Sequence, residues 1–251
     1  MNQRLGSLLV LTEDSGRDAH ATVVAVLKRM LRLVVDDYQT HQLGFEPRDE
    51  AAQRGLRGSR WKSTETRDHA DVTTLLRSIA TKLGRDDGFV FFHVDGDRPW
   101  TERATSENRA KFESIVRSRV HQLLCHMLRI PADEAERRMR RLFVVLPFYS
   151  IESWLYQHTD VGVRLCREHY EGRDVEVFEG WRLDRAALDD VVKPKQRVCI
   201  RADHNLALTG PGYPAEAVDD AGRSYSATVA TLRASDALTR LLDATAGRSA
   251  P

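Results

Sequence analysis

Three short, mostly apolar runs stand out along the first 150 positions: Ser7-Leu8-Leu9-Val10-Leu11-Thr12, Phe89-Val90-Phe91-Phe92-His93-Val94 and Leu142-Phe143-Val144-Val145-Leu146. Each is rich in branched or aromatic side chains and bounded by polar or Gly/Pro-containing turns, which predicts strands. A half-exposed strand alternates apolar and polar residues. These runs do not alternate, so both faces of their sheet should be covered. Helical spacing lies between them. Val23, Val26, Leu27, Met30 and Leu31 fall on one face, with Asp18 as the expected cap. Val72, Leu75, Leu76, Ile79 and Leu83 form a second face that Gly84 should end. Phe112, Ile115, Val116, Leu123, Leu124 and Met127 predict a long helix from about Arg109 to Leu128, and Ser150 is the expected cap of a helix starting near Ile151. Strand and helix in strict alternation predict an α/β fold, a parallel sheet of about four strands flanked by helices on both faces.

Two stretches lack this regularity. Residues 36–68 are rich in Gly, Arg, Asp and Glu and are expected to form an irregular insertion. Beyond residue 171 the periodicity weakens. Val198-Cys199-Ile200 is the expected short fourth strand, Gly210-Pro211-Gly212-Tyr213-Pro214 a loop, and Ala227–Leu232 and Ala237–Ala244 helical turns before a frayed 247–251 tail. The chain 1–251 is expected to be one domain, with 36–68 inserted and 171–251 a helical C-terminal extension.

Composition narrows the function. The chain has 251 residues, of which 41% are hydrophobic and 30% charged, too apolar for a wholly disordered protein. Its formal net charge of +1 excludes a polybasic mode of nucleic-acid binding, so any such contact would use a local patch. No apolar run is long enough to span a bilayer. The first residues lack a signal-peptide layout, which sets the expectation of a cytoplasmic protein with no membrane attachment. Cys125, Cys166 and Cys199 include no CxxC pair, so free thiols are expected rather than a zinc ribbon or a disulfide framework.

Ligands of open α/β sheets bind beyond the carboxyl ends of the strands. The first run ends at Glu13, with Asp14 and Asp18 close behind. The second ends at Asp95-Gly96-Asp97, and Glu152 follows the third by six residues. Were these strands parallel neighbours, the carboxylates would meet on one rim, where they repel unless they share protons or bind a cation. An all-oxygen donor set suits magnesium or manganese. Structural alternatives stand beside each residue. Glu13 or Asp18 could serve only as caps, Asp95-Gly96-Asp97 only as a turn, and Glu152 only as a charge favourable at a helix start. His93 lies two residues before Asp95, on the same strand face, and either orients a ligand or fills the core. Arg54, Arg57, Arg60 and Lys62, with Trp61 among them, could contact a phosphate backbone and a base, or form an ordinary surface. His204 has no assigned role.

A strand ending in Glu, followed by a strand ending in Asp-x-Asp, resembles the Toprim domain of topoisomerases, primases and related nucleases. Leu146-Pro147-Phe148-Tyr149-Ser150-Ile151-Glu152-Ser153-Trp154-Leu155 resembles the strand–Pro–Ile-Glu-x-Trp-Leu segment of the OLD-type nucleases and small Toprim-like proteins of bacterial defence loci. Tyr225-Ser226-Ala227 to Arg233, then Leu238 to Leu242, is similar to the tail of that branch. The chain departs from the pattern in three places. Asp14 follows Glu13 where the family has Gly, Asp18 comes one residue late, and 36–68 matches no family segment.

The resemblance implies roles by position. Glu13 would act as general acid/base or metal ligand, Asp95 and Asp97 would hold magnesium, and Glu152 would help bind a second ion. Asp18 is the displaced counterpart of a further acidic ligand. A late Lys of the family corresponds to Lys193 or Lys195, with Lys195 taken as the catalytic candidate. The implied activity is Mg²⁺- or Mn²⁺-dependent hydrolysis of DNA or RNA in anti-phage defence, beside a separate ATPase, since no GxxxxGK[ST] is present here. Glu13, Asp95 and Asp97 are then expected to approach closely enough to share one ion. Two other functions compete: a metal-dependent glycosyl- or nucleotidyltransferase using Asp-x-Asp alone, and a catalytically inactive scaffold or regulatory subunit.

Overall fold

The structure is a computed structural model that describes residues 4–46, 50–62 and 69–247. Its centre is a four-stranded sheet of β1 (Gly6–Thr12), β2 (Leu43–Glu46), β3 (Gly88–His93) and β4 (Leu142–Val145), in the order β2-β1-β3-β4. Every pair is parallel. Helices follow as α1 (Ala19–Val34), α2 (Glu50–Leu56), α3 (His69–Gly84), α4 (Glu107–Lys111), α5 (Ser118–Leu128) and α6 (Ala132–Met139). After β4 come α7 (Glu152–Leu155), α8 (Thr159–His169), α9 (Val175–Leu183), α10 (Asn205–Leu208), α11 (Ala215–Asp220), α12 (Arg223–Arg233) and α13 (Asp236–Thr245). A π turn, Phe112–Arg117, joins α4 to α5, so the long apolar face predicted there is one interrupted rod. Among the described residues, no helix is long and apolar enough to cross a membrane.

The two-residue period of the strands divides the core in two. Leu8, Val10, Phe89, Phe91, Phe143 and Val145 face α1 and the C-terminal helices. Leu9, Leu11, Val90, Phe92 and Leu142 face α3, α5 and α6. Both faces are buried, as the uninterrupted apolar runs require.

Several expectations are corrected. Val198-Cys199-Ile200 is not a strand; the fourth strand is β2, inside the supposed irregular insertion. Four residues that include a Gly and a Glu leave no apolar run to detect. The rest of the described insertion is also ordered: Ala52, Leu56 and Trp61 are buried in the core beside Phe92. Trp61 is 1% exposed with its ring edge-on to Phe92, so it is no surface for base stacking. Arg54 and Arg60 lie against Asp71. The C-terminal segment is more than an appendage, because Tyr225, Val229, Leu232, Leu238 and Leu242 share one core with β1 and α1. Neither predicted cap closes. The Asp18 carbonyl, not its carboxylate, accepts from Thr22, and the Ser150 hydroxyl donates to Glu152. Residues 248–251 of the predicted tail lie outside the described residues.

Candidate active site

With the order β2-β1-β3-β4, the chain leaves β1 in one direction and β3 in the other, so the carboxyl ends of β1 and β3 flank the crevice of the sheet. Glu13 follows β1 there, and its backbone N–H donates to His93 O at 3.1 Å, which continues the strand pairing by one residue. Beyond β3, the Gly96 and Asp97 N–H groups donate to Pro147 O and Tyr149 O at 2.9 and 3.0 Å, clamping the Asp95–Asp97 turn against the loop after β4. Gly96 is required there, because a Cβ would stand 2.7 Å from the Phe148 ring. Asp97 has φ 53°, a left-handed conformation that Asp tolerates.

Two side chains, Asn108 and Ser106, hold the turn from beneath. Asn108, 2% exposed at the start of α4, donates from Nδ2 to Asp97 Oδ2 at 2.9 Å and also to Asp95 O. Its Oδ1 accepts from Lys62 Nζ. Ser106 Oγ donates to Gly96 O at 2.9 Å. Thr12 Oγ1 accepts from the Asp14 N–H at 3.2 Å and stands 2.9 Å from His93 Nδ1. The Thr12 hydroxyl and His93 Nδ1 share one hydrogen bond, and His93 Nε2 faces Asp95 Oδ1 at 3.7 Å. Burial lowers the His93 pKa to about 4, so the ring is neutral. His93 thus combines both of its alternatives: it fills the core and it faces a candidate ligand.

The carboxylates feel one another. Burial raises Asp95 well above the ordinary carboxylate range, and the charges of Asp14, Glu152, Glu13 and Asp97 raise it further. Its side chain is 18% exposed, and Oδ1 accepts from the Ile151 N–H at 3.0 Å at the start of α7. Burial likewise pushes Glu13 to about 7, against the pull of Lys62. Trp61 Nε1 lies toward Glu13 without closing a hydrogen bond, and Glu13 Oε2 is buried without a partner. Asp14 is raised by burial and opposed by Lys195. Glu152, 7% exposed, accepts from Ser150 Oγ at 2.6 Å and Asn205 Nδ2 at 3.4 Å.

Glu13, Asp95, Asp97 and Glu152 therefore gather at one edge. Asp18 stands further along the β1–α1 loop, on the wall of a cavity of about 560 Å³ that Asp14, Arg17, Glu152, Lys195 and Asn205 also line. Lys195 is exposed on a 3-10 turn, Pro194–Gln196, and Lys193 precedes it in a left-handed conformation. Asn108 and Thr12 contribute without any signal in the sequence, and Asp14, in the sequence a member of the acidic cluster with no role of its own, joins the site. The adjacency of Asp14 to Glu13 was a usable signal. His204, without assignment in the sequence, stacks on His169 with ring centroids 4.8 Å apart.

The donor set fits a hard divalent cation by its chemistry: oxygen atoms only, mutually repelling, with one buried carboxylate oxygen unpartnered. The expected triad is not drawn together, however. Among the described residues, no three His, Cys, Asp or Glu side chains stand where they could hold one ion. A cation would have to draw the carboxylates inward. No protein-family model matches this chain, and no curated protein or solved structure is significantly similar to it.

Proposed function

We propose that the protein is a divalent-metal-dependent nuclease whose reaction takes place at the carboxyl edge of β1 and β3. The observation that carries this reading is the convergence of Glu13, Asp95, Asp97 and Glu152 at the carboxyl edge of a parallel sheet, where burial and then the neighbouring carboxylates raise Asp95. A folded chain gains nothing from that arrangement without a cation, because each buried charge adds desolvation and repulsion. Glu13, Asp95 and Asp97 would hold Mg²⁺ or Mn²⁺, with Asp14 and Glu152 toward the cavity. A bound ion supplies Lewis-acid polarisation of a phosphate and a more acidic water.

The chain's own groups supply the rest. Without an ion, burial holds Glu13 at about 7, so where Asp95 and Asp97 alone carry the metal, its unpartnered Oε2 would take or give a proton near neutrality. Lys62 stands by Glu13, fixed by Asn108, and Lys195 stands by Asp14. Cations on both flanks would attract a phosphodiester and offset charge that builds on its oxygens. Asp18, on the wall of the cavity that Asp14 and Glu152 also line, would face the bound substrate or a further ion there.

The Toprim resemblance is consistent with this reading, and an anti-phage role beside a separate ATPase rests on that resemblance alone. The test is cleavage of single- and double-stranded DNA and RNA with Mg²⁺ or Mn²⁺, with and without a candidate ATPase, by wild type beside Glu13→Gln and Asp95→Asn. Metal-dependent cleavage lost in both variants supports the proposal. Cleavage that survives in both, or is absent from wild type under every condition, refutes it and leaves the scaffold role.

One observation favours a second reading. The cavity beside Asp14 and Glu152 is large enough for a nucleotide. A nucleotidyltransferase that uses Asp95 and Asp97 would lose little transfer activity in Glu13→Gln, whereas the nuclease would lose its activity.

A further inference from the structure

Cys166 lies in α8, and Cys199 lies 33 positions later in the irregular segment that follows Lys195. Their Sγ atoms are 3.3 Å apart. Cys166 is fully buried, while Cys199 is partly exposed and also points its Sγ at Arg173 O, 3.4 Å away. Cys125 belongs to α5 on the opposite face of the sheet, packed against the other core cluster, so it cannot reach either thiol. One thiol open to solvent beside one held in a helix is the arrangement of an attacking and a resolving cysteine.

The geometry points to Cys166 and Cys199 as an oxidisable dithiol, a disulfide-forming site that fastens the Lys195 segment to α8. An S–S bond is about 2.05 Å long, so closure asks the sulfurs to approach by little more than ~1 Å. Between Val191 and His204 the chain forms only two short 3-10 turns and can accommodate that shift, whereas Cys166 is fixed in its helix. This inference does not depend on the nuclease reading.

With hydrogen peroxide as oxidant, the Cys199 thiolate attacks one peroxide oxygen and becomes a sulfenic acid. The other oxygen leaves as hydroxide and takes up the thiol proton as water. The Cys166 sulfur then attacks Cys199 Sγ, the S–S bond forms, and the sulfenic oxygen leaves as a second water with the Cys166 proton. Two thiols lose two electrons in total, and the peroxide gains them. Burial holds both thiols above the usual cysteine range, Cys166 at about 12, so little thiolate is present and peroxide oxidises the pair slowly. The bond would tether the stretch that carries Lys195 and leads into Asn205, both of which line the cavity.

The test treats the full chain with excess peroxide, quenches with catalase, then unfolds and alkylates it without reductant before intact-mass and peptide analysis. One alkylated cysteine of the three, Cys125, is expected, with a linked Cys166–Cys199 peptide that is absent from Cys199→Ser. Trypsin should cut the oxidised native chain after Lys195 and Arg197 several-fold more slowly than the reduced chain. Three alkylated cysteines, an over-oxidised Cys199 without a link, or a link through Cys125 would overturn the assignment. A correct link that leaves trypsin cleavage unchanged would overturn the tethering.

Discussion

Two regions of the sheet treat buried charge in opposite ways. Away from the carboxyl edge, Lys82 is 3% exposed, and its Nζ donates to Ser7 Oγ near the amino end of β1 and to Oε1 of Glu46, the last residue of β2, which pairs with Leu9 in mid-β1, each at 2.5 Å. Arg141 donates to the carbonyls of Leu83, Arg85 and Asp86 just before β3. Burial pushes Glu46 up, but hydrogen bonds from Lys82 and Ser7 outweigh it and hold the carboxyl below its ordinary value. At the carboxyl ends, burial also dominates, yet the charges that act on Asp95 are those of four more acids. The same layer and the same solvent exclusion thus yield a matched ion pair in one region and a cluster of like charges, only partly offset by Lys62 and Lys195, in the other. Opposite charges around Lys82 offset each other's burial, so removing one partner is costly. Like charges at the carboxyl end lower stability, so another interaction must keep them there, and a bound cation with a phosphate is the interaction proposed.

Four measurements break or sharpen this contrast. The largest effect is expected on activity: Asp95→Asn or Glu13→Gln should lower metal-dependent cleavage by about 10³-fold or more, while neither lowers the melting temperature. Cleavage intact in both variants, or lost only together with the fold, would erase the functional difference between the two regions.

The second is the dependence of stability on pH. The folded-state pKa of Glu13 lies at about 7, above its unfolded value of 4.5, so the native state binds its proton more tightly. The associated stability is fully present below 4.5 and is lost as the pH rises through about 7, by roughly 2–3 kcal/mol. Glu46 has the opposite sign: its stability is present above the unfolded pKa and is lost as the pH falls through the lowered one. Urea unfolding from pH 5 to 8 without divalent ions should show a decline that Glu13→Gln flattens. A variant no more stable than wild type at pH 8 would contradict a Glu13 held by burial above its ordinary value.

Third, Lys82→Met should cost about 2 kcal/mol in urea unfolding, less than a fully buried pair because Glu46 keeps 31% of its side chain exposed. It should leave cleavage per folded molecule unchanged. The smallest effect is that of metal on stability. Near 10 mM Mg²⁺ at pH 8 should add about 1 kcal/mol, or roughly 2–4 °C in Tm. Asp95→Asn should abolish this gain and Lys82→Met should retain it. An equal gain in Asp95→Asn would mean that the ion binds elsewhere.

The sequence reading succeeded where structure follows from local pattern and failed where it does not. The three apolar runs match β1, β3 and β4 to within a residue, and the three periodic stretches match α1, α3 and the α4–α5 rod. β2 went unseen because an edge strand of Leu43-Gly44-Phe45-Glu46 owes its state to pairing with β1. Trp61 resembled a surface aromatic because its neighbours Arg60 and Lys62 are charged, yet its ring packs against Phe92. Glu13, Asp95, Asp97 and Glu152 were legible as candidates because strand ends are readable and parallel sheets align them. The cooperation of Asp14, Thr12 and Asn108 was not, because each acts through a partner distant in the chain or through burial.

What this chain fixes by itself is its periodicity: which segments become strands or helices, and hence which acids follow a strand end. Apolar spacing is a local property, set by the two-residue and 3.6-residue repeats of the backbone. What only the tertiary structure decided is proximity. It brought five carboxylates within electrostatic reach of one another, gave Glu13 a proton affinity near neutrality, paired Lys82 with Glu46, and set Cys166 beside Cys199. Coulomb interactions and desolvation depend on distance and burial in space, and neither is written in the order of residues along the chain.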